Sequence, residues 1–173
     1  MAGASRTAMT ATADIDTTAA LHQALVASVP DLYRHCRDPW TVIGSAAAWL
    51  AGARVTVADL DVLTSARDAE VMIDHWRMRL DTTTASAGAE RFRSRFARFA
   101  FPGLAVEIMG GLEVSGGSGW APVTVGEIVT VDVAGVRVPI PAMHEQIRVL
   151  ESFGRPKDRQ RAALLKSLCE ERL

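Results

Sequence analysis

The chain has 173 residues, 49% of them hydrophobic and 23% charged, the make-up of an ordinary globular domain rather than of a disordered or fibrous chain. A formal net charge of -1 leaves bulk charge no role in holding a nucleic acid or a membrane, so any such site has to be a local patch. Cys36 and Cys169 lie far apart in sequence and read as reduced thiols of a cytoplasmic protein; no apolar run reaches the roughly 20 residues of a membrane helix, and no signal peptide is visible.

Residues 1 to about 16, rich in Ala, Thr, Ser and Asp without a period, read as a mobile leader, and 17–173 as a single domain. A helix capped by Thr17 or Thr18 carries Leu21, Leu25 and Val29 at helical spacing up to Pro30, and a second short helical segment covers Leu32 to Arg37. Trp40 to Ile43 read as a short strand broken by Gly44-Ser45, and Ala46 to Ala51 as a small-residue helix ending at Gly52. A mostly apolar strand interrupted by two aspartates follows over Val55 to Leu63, then a helix over Ala66 to Leu80.

Asp81 to Gly88 is polar and turn-like, and residues 90–101 fit helix or strand. Leu104 to Met109 reads as a strand that Gly110-Gly111 ends or bends, and Gly116 to Gly119 as a loop. Pro122 to Val133 and Val136 to Ile140 form a hairpin around Ala134-Gly135. Two helices close the chain, Met143 to Phe153 and Pro156 to about Glu171, with Gly154 in the left-handed position between them and Pro156 in the first turn of the second. This order predicts an α+β or α/β domain, a mixed sheet flanked by helices.

The feature that carries chemistry is Val57-Ala58-Asp59-Leu60-Asp61-Val62. Alternate side chains of a strand share a face, so Asp59 and Asp61 point one way and Leu60 and Val62 the other. Two carboxylates side by side on an apolar strand repel each other and cost desolvation, and a divalent cation resolves both problems. Glu107, flanked by Val106 and Ile108, completes a set of three if its strand lies beside the first. Such a set can hold two metals, or Glu107 can take the proton of an attacking hydroxyl. Upstream, the amides and the Ser45 hydroxyl at the helix start can hold phosphate oxygens, and Gly44 lets a phosphate approach the backbone.

These parts resemble the nucleotidyltransferase superfamily, whose fold is shared with DNA polymerase β. The matching residues are Ile43-Gly44-Ser45, the helix around Ala46 to Leu50, Asp59-Leu60-Asp61 and Val106-Glu107-Ile108; Gly154-Arg155-Pro156-Lys157-Asp158 is similar to an element of the bacterial AbiEii-like and lincosamide-type branches. The resemblance implies transfer of a nucleoside monophosphate from a nucleoside triphosphate to a hydroxyl acceptor, with release of pyrophosphate. It implies Asp59 and Asp61 as ligands of Mg2+ or Mn2+, Glu107 as a further ligand or the base, Gly44 and Ser45 on the β- and γ-phosphates, and Lys157 or Arg155 neutralising phosphate charge or steadying the acceptor. A toxin-like role in a toxin–antitoxin pair is also implied by the resemblance alone.

Other readings stand beside this one. A non-catalytic member of the fold would bind a nucleotide or a partner protein without turnover. The run Arg91-Phe92-Arg93-Ser94-Arg95-Phe96-Ala97-Arg98-Phe99 is either an amphipathic element with its three phenylalanines in the core or a basic strip for RNA. His22, His35, His75 and His144 show no ligand spacing and read as surface or ordinary core residues, with no zinc assigned.

Overall fold

The computed structural model describes residues 4–83 and 88–171, with side chains from Asp16 onward. Helix α1 (Ala4–His35) begins inside the stretch read as a leader and not at Thr17, and it continues through Pro30 to absorb the second segment expected after it. Leu21, Ala24, Leu25, Val29 and Leu32 make its buried stripe, the three-to-four spacing that sets one helix face against a core. Pro30 lies on the exposed side, where the hydrogen bond it cannot donate is open to solvent.

The short strand β1 (Thr41–Ile43) leads into α2 (Gly44–Leu50). Strand β2 spans Asp59–Thr64, shorter than expected because residues 53–58 are not paired. Helix α3 (Ala66–His75) is capped by Ser65, whose side chain accepts from the Asp68 amide, and a 3-10 turn over Arg77–Arg79 replaces its expected last turn. Strand β3 (Phe92–Phe99) resolves the ambiguous arginine run as a strand.

Strand β4 (Ala105–Gly116) does not end at Gly110-Gly111 but runs through them. Its register against β3 shifts between Arg93, opposite Glu113, and Arg95, opposite Gly110. The extra residue is on β4, and Gly111 absorbs it at φ 60°, a β-bulge that bends the strand. Gly110 lies so close to α3 that any side chain there would meet Ala69 and the Ser65 carbonyl.

The remaining elements are β5 (Gly119–Pro122), β6 (Ile128–Val133), β7 (Val136–Pro141), α4 (Met143–Phe153) and α5 (Pro156–Glu170). The main sheet has the order β1-β2-β4-β3, with β5 also paired to β4, while β6 and β7 form a separate hairpin. Among the described residues only β2 and β4 run parallel; the other pairs are antiparallel, so the sheet is mixed. The hairpin joins the sheet through the Thr41 hydroxyl, which donates to the Pro139 carbonyl at 3.1 Å.

The two faces of the sheet differ. Leu60, Val62, Val106 and Ile108 are fully buried and pack with Leu21 and Leu25 of α1 and Met72 and Trp76 of α3. The other face meets α4 through Ile43, Leu63, Leu112, Val149 and Phe153. Among the described residues no helix is long and apolar enough to cross a membrane.

Candidate active site

The registers of three strand pairs coincide on one line. Ile43 stands opposite Asp61, Asp61 opposite Glu107, and Glu107 opposite Arg98. One row of side chains therefore crosses β1, β2, β4 and β3, and Asp59, two residues before Asp61, lies on the same face. The alternation that buries Leu60 and Val62 in the core is what turns the aspartates toward α4 and α5.

Arg98 occupies the outer end of this row. Its Nη1 lies 2.7 Å from Asp59 and 2.5 Å from Glu107, and its Nε lies 3.7 Å from Asp81. Burial works against this guanidinium's charge, but the hydrogen bonds it donates to Asp59 and Glu107 prevail and raise its pKa. Asp61 is treated differently. Burial pushes its carboxyl well above the usual carboxylate range, the charge and hydrogen bond of Glu107 and the charge of Asp59 push it the same way, and Arg161 opposes them. These surroundings favour the protonated form of Asp61.

A cleft of about 250 Å3 opens over the row. All seven residues singled out from the sequence line it: Asp59, Asp61 and Glu107 on the strands, Gly44 and Ser45 at the start of α2, and Arg155 and Lys157 at the start of α5. Gly44 is in the left-handed region at φ 68°, and a Cβ there would stand 2.6 Å from Asp61 Oδ2, so both conformation and space require glycine. Arg155 is committed within the protein: Asp158, fully buried, accepts from its Nε at 2.6 Å and its Nη2 at 3.1 Å, and its guanidinium stacks 4.8 Å from the Phe92 ring centre. Lys157 is exposed, and Arg161 joins it in the cleft wall.

Sequence reading missed Arg161, Arg98 and the phenylalanine lining of the cleft. Arg161 lines the cleft one helical turn after Lys157, and that spacing was the available signal. Arg98 was hidden within the arginine run, whose partners become visible only once the chain is folded: Arg93 binds Glu113 at 2.6 Å, Arg95 binds Glu70, and Arg91 donates to the Phe153 carbonyl. The run is therefore no free basic strip. Its phenylalanines also divide: Phe99 is in the core against Trp76, whereas Phe92 and Phe96 line the cleft, where Phe153 joins them.

No protein-family model and no curated protein matches the chain. Solved structures do. One is a candidate nucleotidyltransferase from Thermotoga maritima, 23% identical with a TM-score of 0.61, covering 82% of this chain and 88% of that one. Another is the lincosamide antibiotic adenylyltransferase LnuA bound to lincomycin, 11% identical with a TM-score of 0.52, covering 80% of this chain and 92% of that one. The chain has the nucleotidyltransferase fold.

Proposed function

We propose that the protein transfers a nucleoside monophosphate from a nucleoside triphosphate to a hydroxyl acceptor, a small molecule, an RNA or a protein, in a reaction dependent on Mg2+ or Mn2+. The observation that carries the reading is the convergence of Asp59, Asp61 and Glu107 in one cleft with Gly44, Ser45, Lys157 and Arg161. Negative groups for a cation and positive or amide groups for phosphates stand within a single opening.

The donor chemistry suits a hard dication: three carboxylates on one face, with burial and the charge of Glu107 and Asp59 working against ionisation of Asp61. Asp59 and Asp61 would hold the metal, with Glu107 as a further ligand, and the bound ion would neutralise charge on the phosphates. Gly44 and Ser45 would place the β- and γ-phosphates, Lys157 and Arg161 would balance their charge, and Arg155 would brace the wall. The acceptor oxygen attacks the α-phosphorus, the bond from that phosphorus to the bridging oxygen breaks, and pyrophosphate leaves. Glu107, if not engaged as a ligand, takes the hydroxyl proton.

One observation favours a second reading, a non-catalytic nucleotide- or partner-binding protein: Arg98 already supplies a positive charge to Asp59 and Glu107. The test is a screen of the four α-labelled triphosphates with magnesium and a panel of hydroxyl compounds, RNA and proteins. The proposal expects labelled product and pyrophosphate from the wild type and neither from Asp61→Asn. Nucleotide binding without product across the panel would support the second reading instead.

A further inference from the structure

On the side of the sheet away from the cleft, the C-terminal ends of α1 and α3 bring Asp31, His35 and His75 together. Asp31 and His35 are one turn apart on α1 and share a face; His75 is the last residue of α3. One possible ligand atom from each lies within 4.8 Å of the other two. Among the described residues this is the group of histidine, cysteine and acidic side chains with that closeness. Nothing in the proposed transfer reaction uses it.

Three details point to a bound cation. Asp31 Oδ2 and His75 Nε2 are 3.2 Å apart, a hydrogen-bonding distance that is also about the separation of two ligand atoms in a tetrahedron drawn about 2.0–2.1 Å around zinc. His35 Nε2 is buried and has no hydrogen-bond partner among the described residues, a cost that a coordinate bond removes. The Trp76 indole N–H donates to Asp31 Oδ2 at 2.9 Å, the kind of outer contact that orients a ligating carboxylate. Both helices also end here, and helix C-termini favour positive charge. Arg34 is the other cation at the cluster, 3.3 Å from Asp31 Oδ1 and largely exposed, which leaves Oδ2 to face the histidines.

We propose that Asp31, His35 and His75 form a binding site for a zinc-class transition-metal ion that fastens α1 to α3, with the partly exposed His75 side leaving room for a water ligand. Two imidazoles select such a metal over magnesium, so the site is chemically distinct from the carboxylate row. The sequence spacing concealed it because the third ligand arrives from another helix, 40 positions after His35 by subtraction of their numbers.

The experiment is a zinc titration of the full chain by calorimetry in excess magnesium, which occupies the all-carboxylate site, with thermal melts in parallel. The expected result is one zinc per chain, a higher melting temperature with zinc, and an affinity about a hundredfold lower in His75→Ala and Asp31→Asn. Melts in chelator report whether each variant is folded; His75→Ala, altered at the exposed ligand, decides the matter if Asp31→Asn is not. Absence of zinc binding by the wild type, or equal affinity in folded His75→Ala, overturns the proposal and leaves the cluster a hydrogen-bonded helix contact.

Discussion

Asp61 is set against ionisation by burial and by two carboxylate neighbours, with Arg161 alone on the other side. Its folded pKa therefore lies above the unfolded value of about 3.9. The proton it holds contributes stability that is complete below the unfolded pKa and is lost as pH rises through the raised folded one. Measured by urea unfolding in chelator, the wild type should gain stability over Asp61→Asn as pH falls from neutrality toward about 4, then hold that margin. A margin independent of pH would mean that Asp61 is ionised in the folded protein. Gly44→Ala belongs to the same site. With φ at 68° and Asp61 Oδ2 at 2.6 Å from the new Cβ, the variant should lose about 1–3 kcal/mol of stability and most of its nucleotide binding. An unchanged melting temperature would show that the β1–α2 junction relaxes freely.

At the scale of elements, β3 supplies a counter-ion and α4 secures a loop. Arg98→Gln leaves Asp59 and Glu107 without their shared cation. In chelator it should cost about 2 kcal/mol, since a partly buried charge loses its partner, and magnesium should restore more of that loss than it adds to the wild type. Equal magnesium effects on the two proteins would contradict this. On α4, Glu145 accepts from the Gly126 amide at 2.7 Å and from Arg148 Nη2 at 2.8 Å, and the Arg148 hydrogen bond, then the Gly126 amide, hold its pKa down at about 2. A depressed acid stabilises above its unfolded pKa and loses that contribution as pH falls through the folded one. Glu145→Gln should therefore be less stable than the wild type at neutral pH, with the difference shrinking between about pH 4 and pH 2 in parallel unfolding curves.

The elements also show what local pattern reveals. The junction of α4 and α5 was readable to the residue because Gly154 at φ 67° ends the first helix and Pro156 opens the second. The start of α1 was not, because its apolar period begins only at Leu21 and the preceding stretch carries no face to read. The course of β4 through two glycines depends on a bulge set by pairing with β3, which no local pattern records.

Across the whole molecule, the candidate site was legible as residue types and hidden as geometry. Asp59 and Asp61 announce themselves by alternation on one strand, and Gly44-Ser45 by the strand-to-helix change. That Asp61 faces Glu107, and Glu107 faces Arg98, follows from a parallel and an antiparallel register between segments far apart in the chain. The arginine run illustrates the same limit: its partners Glu70, Glu113, Asp59 and Glu107 come from α3, β4 and β2. The Asp31, His35 and His75 group likewise exists only once α1 lies against α3.

The proposed transfer requires the carboxylate row to seat a cation–nucleotide complex, and calorimetry with a non-hydrolysable nucleoside triphosphate analogue measures that directly. Wild-type protein is predicted to bind the analogue with magnesium and about a hundredfold more weakly in chelator, while Asp61→Asn shows the weak binding in both conditions. Equal affinity with and without magnesium in the wild type, or undiminished magnesium-dependent binding by folded Asp61→Asn, would contradict it.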